Sequence, residues 1–272
     1  MPSRRRPLRM ADDSVDVVDI VGGVEGLRAE HGPLFAVIGV FDGIHLGHRY
    51  LLGRLVDEGR SRGARPAVIT FDSHPDEILV GAAPPLLLDP GERVRMLREA
   101  GVEVVVVQHF DAALRSTEYD DFVRRITSRT WLAGILMTPD AAFGHDRRGT
   151  PAAIRAMGDR EGFDLVVAPP FALDGRSVRS SDIRSAIAAG DLETAERLLG
   201  RPYAVVGEAG ADGVLRFDMP VARPPAGSYR VTANGGPASL LVQGEGSMRL
   251  APAGPRSPGA RLNIEFRGVT SG

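Results

Sequence analysis

The chain of 272 residues contains no cysteine and no lysine, so all 33 of its basic residues are arginine. The first absence excludes disulfides, thiolate zinc sites and a cysteine nucleophile together. The second excludes a Walker-type phosphate loop, whose lysine contacts the terminal phosphates, and lysine Schiff-base chemistry. A phosphate site in this chain has to be made of arginine, histidine and backbone N–H groups. Long apolar runs are also missing; none approaches the roughly 20 residues that span a bilayer, which argues against a membrane protein. Met1 to Met10 is basic, but no apolar core and small-residue cleavage site follow it, so it does not read as a secretory signal. The expectation is a cytoplasmic protein. A net charge of −2 gives no electrostatic case for nucleic acid as a partner, and Arg4-Arg5-Arg6 is too short to supply one.

What is present is an ordinary balance for a folded chain, 43% hydrophobic and 25% charged, enough for one large domain or a medium one with a small companion. From Leu34 to about Leu199 short β-branched runs (Leu34–Gly39, Ala67–Phe71, Val102–Val107, Ile135–Thr138, Asp164–Ala168) alternate with helical-period segments near 47–61, 90–99, 118–129, 151–161 and 180–198. Val104 to Val107 is uniformly apolar, as a strand buried on both faces of a parallel sheet would be. Such alternation predicts a doubly wound, Rossmann-like α/β domain over residues 15–202, with its ligand at the carboxyl ends of the strands. Residues 204–272 hold 12 of the 33 glycines and 7 of the 20 prolines. They carry strand-like runs at Ala204–Glu208, Val214–Phe217, Tyr229–Thr232, Ser239–Val242 and Leu262–Phe266 and no helical period. A small all-β, barrel-like module over 203–272 is expected, with a loop at Ala251–Gly259. Residues 1–14 are expected to be disordered.

The strongest chemical signal is Gly39-Val40-Phe41-Asp42-Gly43-Ile44-His45-Leu46-Gly47-His48, between the first of these strands and a helix. Gly39, Gly43 and Gly47 permit tight turns and close approach to a ligand. The helix start offers free N–H groups and the positive end of its dipole. His45 and His48, three apart, point to one side. Together these suit the charge that develops on a phosphorus centre under attack. The same pair is compatible with a zinc site completed by His74, or with two surface histidines. Asp42 is open to two roles, a magnesium contact or a cap for the following helix. Ser180 and Ser181 begin another predicted helix, where a hydroxyl caps a free N–H, and Arg184 follows one turn later. With lysine absent, Arg184 is the candidate to grip phosphates bidentately. The charged residues Glu92, Arg93, Arg95, Arg98 and Glu99 read as a solvated helix face.

The histidine segment resembles the signature of the nucleotidyltransferase superfamily, and in this wording that of bacterial FAD synthetases. The resemblance continues through Thr70-Phe71-Asp72-Ser73-His74-Pro75, then Pro139 to Gly144 with Arg147-Arg148-Gly149, then Val178-Arg179-Ser180-Ser181-Asp182-Ile183-Arg184, and finally Leu198 to Tyr203. It implies FMN adenylyl transfer from ATP, with nucleotides and a flavin as small-molecule partners and Mg²⁺ held through the phosphates. On that resemblance Gly39, Phe41, Asp42, Gly43, Gly47, Ser180 and Ser181 fall in the ATP site. His45, His48 and Arg184 take the catalytic roles. Phe71, His74, Pro75, Asp140, Phe143 and Arg148 fall at the second substrate, although Phe143 also reads as plain core. Ala141 stands where the family usually has an aromatic, and Arg179 replaces a small hydroxyl residue. The family's second half, a riboflavin kinase, carries Gly-Phe-Pro-Thr-Ala-Asn; only Thr232-Ala233-Asn234 echoes it here. The expectation is an FMN adenylyltransferase with a degenerate kinase barrel. The alternatives are transfer to another phosphorylated substrate, or a binder without turnover.

Overall fold

The computed structural model describes residues 18–210, 212–244, 246–251 and 261–269. The segment 1–14 lies outside these, as does the Ala251–Gly259 loop beyond Ala251 itself.

Six strands form a wholly parallel sheet: β1 (Asp19–Gly22), β2 (Leu34–Ile38), β3 (Arg65–Phe71), β4 (Val104–Gln108), β5 (Leu132–Met137) and β6 (Asp164–Val167). Their order is β1-β4-β3-β2-β5-β6. The winding reverses between β2 and β5, which opens a crevice at the carboxyl ends of those two strands. Val104 and Val106 belong to one core cluster and Val105 to another, one on each face of the sheet. That is why the valine run does not alternate. Helices α1 (Leu46–Ser61), α2 (Asp76–Leu79), α3 (Pro90–Glu99), α4 (Ala112–Arg115), α5 (Tyr119–Thr127) and α6 (Pro151–Glu161) make the connections. The starts of α3 and α6 are written locally: Asp89 and Thr150 cap free N–H groups, each before a proline at the first helical position.

The sequence reading needs four corrections. β1 was not expected; it is a four-residue edge strand whose Ile20 is exposed, so it lacks the apolar run that marks inner strands. The segment 180–198 is two helices after a short hairpin of β7 (Ala172–Leu173) and β8 (Arg176–Ser177): α7 (Ser180–Ala188) and α8 (Leu192–Leu199). Gly190 in the left-handed region and the Asp191 cap on Thr194 break the run. Arg93 is not solvated: it is 6% exposed and donates to the carbonyls of Val40 (3.1 Å) and Phe71 (2.7 Å), tying the ends of β2 and β3 together. Its neighbour Arg95 does lie outside, paired with Glu92 and Glu99.

The fourth correction concerns the second sheet. It consists of β9 (Ala204–Ala209), β10 (Leu215–Arg216), β11 (Gly227–Ala233), β12 (Gly236–Val242), β13 (Met248–Ala251) and β14 (Arg261–Val269), in the order β10-β9-β14-β11-β12-β13. β13 was not expected. It matters because a bridge from Arg249 to Val214 joins the two ends of the sheet and closes it into a barrel. One apolar core runs through α7, α8 and the barrel, from Ile183 and Leu199 to Leu240 and Phe266. The barrel and the helices that precede it therefore pack as one body.

Candidate active site

The turn after β2 holds Phe41, Gly43 and Ile44 at positive φ (54°, 88° and 36°). Two of these carry side chains, a conformation that costs energy and persists only where the surroundings dictate it. The surroundings here are explicit. Thr70 and Arg93 donate to the Val40 carbonyl, and Ser180 Oγ donates to the Asp42 carbonyl at 2.9 Å. Arg201 donates to the carbonyls of Gly43 (2.7 Å) and Ile44 (3.2 Å).

At the end of this turn His45 is the N-cap of α1. Its Nδ1 accepts the backbone N–H of His48 at 3.3 Å, which leaves the ring proton on Nε2. The two imidazoles stack with centroids 3.7 Å apart and planes 16° apart. Burial, then the Arg201 charge, lowers the His45 pKa to about 4. Burial, then His45, holds His48 well below the usual histidine range. Both rings are thus neutral near pH 7, and each offers a single N–H. The Nδ1 of His48 is buried without a partner among the described residues, so Nε2 is its working nitrogen.

A neutral buried imidazole makes folding sensitive to acid. The unfolded chain takes up a proton near pH 6.5 and the folded chain only near pH 4, so stability is fully present above 6.5 and falls between the two. A shift of that size corresponds to up to about 3 kcal/mol from His45. His45→Asn keeps a capping oxygen and removes the titration. Its unfolding free energy, measured in urea from pH 7 to 4, is expected to decline less than that of the parent by about this amount.

The histidines face a cleft of about 540 Å³ at the crevice between β2 and β5. Of the residues singled out from sequence, Gly39, Phe41, His45, Gly47, His48, Asp140 and Ser180 line it. A Cβ at Gly47 would stand 3.2 Å from the His45 ring and 3.5 Å from the Val178 carbonyl, so the ring would have to give by a few tenths of an ångström. The N-termini of α1 and α7 thus reach the same space. Tyr50, Pro169, Pro170 and Phe171 line it too, with Tyr50 and Phe171 5.6 Å apart and tilted. Sequence reading missed these, although Pro169-Pro170-Phe171 directly follows the carboxyl end of β6, where such a fold binds. Arg179 also lines the cleft, as the N-cap residue of α7.

Other expectations land elsewhere. Ser180 is not a cap; it is the first residue of α7, its hydroxyl spent on the Asp42 carbonyl, and no side chain caps that helix. Ser181 is exposed on the first turn. Asp42 neither caps α1 nor stands open to a metal. It is 3% exposed, accepts the N–H groups of Leu87 and Leu88 at 3.0–3.1 Å, and pairs with Arg184 Nη2 at 2.6 Å. Arg184 also donates from Nε to the Pro85 carbonyl, so among the described residues only Nη1 is left without a partner. Gly43 supports the turn from behind, where an added Cβ would stand 3.1 Å from Leu87 Cδ1. His74 Nδ1 accepts the Asp76 N–H, just after the end of β3, with Pro75 opening α2. Burial lowers the His74 pKa, and Arg184, Asp42 and Arg93 lie close enough to act on it. Phe71 meets Phe110 edge-on at 5.4 Å. Phe143 packs edge-on to Phe122 at 6.1 Å, and Arg148 is exposed, paired with Glu118 and Asp146. Among the described residues no group of three His, Asp or Glu side chains could hold a metal ion, so His74 does not complete a zinc site.

Fold and cleft together define a class: a Rossmann-like α/β domain with an anion-suited crevice at its winding reversal, fused to a small closed β-barrel. A family model described as FAD synthetase matches residues 27–182. The chain belongs to the FAD synthetase family. It is 34% identical to a bifunctional riboflavin kinase/FMN adenylyltransferase of Pseudomonas fluorescens over 191 residues, 70% of this chain and 61% of that protein. It is 32% identical to the protein of that description from Escherichia coli K12, covering 69% of this chain and 61% of that one. The chain thus spans about three fifths of the length of these relatives. A solved structure described as a macrolide-efflux protein from Streptococcus pneumoniae superposes with a TM-score of 0.77 at 22% identity, over 93% of this chain and 99% of that one. That likeness extends over sheet and barrel, and concerns fold alone. No described helix is long and apolar enough to cross a membrane.

Proposed function

We propose that this chain is an FMN adenylyltransferase, which joins the AMP portion of ATP to FMN and releases pyrophosphate. The observation that carries the reading is the meeting of two helix N-termini and two neutral, stacked imidazoles in one cleft. An FMN phosphate oxygen attacks the α-phosphorus of ATP as the bond to the β-phosphate oxygen breaks and pyrophosphate departs. No enzyme-bound intermediate is needed, so the protein's work is alignment and stabilisation of charge. The Nε2–H groups of His45 and His48 donate to oxygens of the transferring phosphoryl group. The first N–H groups of α1 and α7 lie outside their helical ladders and serve the same charge. Arg179 takes the terminal phosphates in the cleft, while Arg184 holds Asp42 in place and reaches the anion only through Nη1. Tyr50 and Phe171 suit the faces of an adenine. Phe71 with Phe110, at the ends of β3 and β4, suits the flavin. Mg²⁺ accompanying the triphosphate would offset its charge, and the cleft-lining carboxylate available to it is Asp140.

A second acceptor is favoured by one observation. A recess of about 220 Å³ lined by Ala141, Ala142, Phe143 and Arg147 adjoins the cleft, sharing Ile38, Leu51 and Thr138 with it. It leaves room for a phosphorylated substrate other than FMN. For the barrel, we propose that kinase activity is absent. Thr232 and Asn234, which echo the kinase segment, are spent on structure: Thr232 donates to Glu265, and Asn234 Oδ1 accepts the Asn263 N–H.

Incubating the protein with Mg·ATP and FMN is expected to yield FAD and pyrophosphate. Riboflavin in place of FMN is expected to yield no FMN. Absence of FAD alongside turnover of another phosphorylated flavin would transfer the reading to the second acceptor, and FMN formed from riboflavin would remove the claim about the barrel.

A further inference from the structure

We infer that Arg201, in the linker between α8 and β9, is a positioning residue for the histidine turn, and that through it the barrel's entry strand holds the imidazoles in their working direction. The inference rests on the adenylyl-transfer reading for its effect on rate, but not for its structural content.

Four carbonyls of the turn, those of Val40, Asp42, Gly43 and Ile44, point away from regular hydrogen bonding. Each is met by a side chain distant in sequence. Thr70, Arg93 and Ser180 hold the first half. The second half, which delivers His45, is held by the two arms of a single guanidinium: Nη2 of Arg201 on Gly43 and Nη1 on Ile44, the latter also 3.5 Å from the Leu199 carbonyl. One planar group therefore ties the histidine turn to the last turn of α8. Gly200, left-handed at the end of α8 (φ 70°), allows the close approach this needs. A Cβ there would lie 2.5 Å from Leu46 Cδ2, on the first residue of α1.

Arg201 has no carboxylate partner among the described residues. Burial, with Arg49 and Arg95 beside it and only partly offset by the nearby Glu92 carboxylate, lowers its pKa to about 10. An unpaired cation in such a place is costly, and its contacts are backbone carbonyls of the turn and of α8. Its charge reaches His45, where it opposes protonation. Protonated at Nδ1, His45 could not accept the His48 N–H, and the cap that orients both rings would be lost. The charged and titratable groups gathered around His45 are His48 on its own helix, Arg201 on the linker, Arg179 at the start of α7 and Asp140 after β5. Among these Arg201 is the one that bonds to the turn itself.

The test uses the full chain with three substitutions. Arg201→Met removes the fork and the charge but keeps the length. Its kcat is expected to fall by about 10²-fold, the scale of a small misplacement of catalytic groups, with KM for ATP moving far less. The His45 ring resonance, followed by NMR, is expected to titrate closer to 6.5. Arg201→Lys keeps the charge without the fork: the titration should stay low while kcat remains reduced. Arg261→Ala breaks the barrel's ion pair with Asp89 at the start of α3; it is expected to lower the melting temperature and leave kcat and the titration unchanged. A folded Arg201→Met protein with parental kcat and parental titration would overturn the inference, as would an equal loss of kcat in Arg261→Ala. If the parent forms no FAD yet its His45 titration rises on Arg201→Met, the positioning stands and the reading of the reaction fails.

Discussion

Replacing His48 by alanine is expected to lower kcat by about 10²- to 10³-fold, the loss typical of a removed transition-state donor. The ring is held by two neighbours: it stacks on His45 at 3.7 Å and meets Phe41 at 5.1 Å. Its buried Nδ1 has no hydrogen-bond partner among the described residues. Because both imidazoles are neutral well below pH 7, kcat should not titrate with them between pH 6 and 8. A charged histidine pair would instead give a falling alkaline limb near its pKa. Steady-state kinetics with Mg·ATP and FMN separate the outcomes. A rise confined to KM would make His48 a contact to bound ATP; a drop in kcat with little change in KM identifies an interaction made as the phosphorus is attacked.

The second large effect is on stability. Asp42→Asn is expected to destabilise the protein by about 3–5 kcal/mol, because it breaks a buried pair while leaving the cation in place. Asp42 collects the Leu87 and Leu88 N–H groups and the Arg184 guanidinium, whose side chain is 16% exposed. An amide supplies one acceptor oxygen and turns an NH₂ toward donors. The damage should spread, since Leu86, beside those N–H groups, pairs with the barrel: its N–H donates to Pro220 and its carbonyl accepts from Ala222. Urea denaturation measures the loss. Asp42→Asn combined with Arg184→Met should cost less than the sum of the two single changes. Additive losses would show that the pair does not act as a unit.

Much of the site was legible because its logic is local. Two histidines three apart at a helix start point to one side, and glycine at 47 permits a close approach; that His45 and not Asp42 caps the helix was not read from the sequence. The α/β alternation likewise follows from apolar runs buried on both faces of a sheet. Asp42 and Arg93 were misread, and the scaffold bonds of Arg184 went unread, for a common reason. Each is a charged side chain whose partners are backbone groups or a counter-charge between 22 and 142 residues away, and no window of sequence contains both ends. β1 and β13 escaped because strands of four residues at a sheet's edge carry too little apolar pattern.

The sequence by itself determined the chemistry at hand: no thiol, no lysine, a histidine pair at a glycine-rich helix start, and an alternating pattern that forces a parallel sheet. Only the tertiary structure decided which groups are free to use it. It spent Asp42, Ser180 and most of Arg184 on the scaffold, placed Arg179, Tyr50 and Phe171 in the cleft, and set Arg201 behind the histidines. The physical reason is that a strained turn exposes carbonyls that must be satisfied, and which distant side chains satisfy them is settled by packing alone.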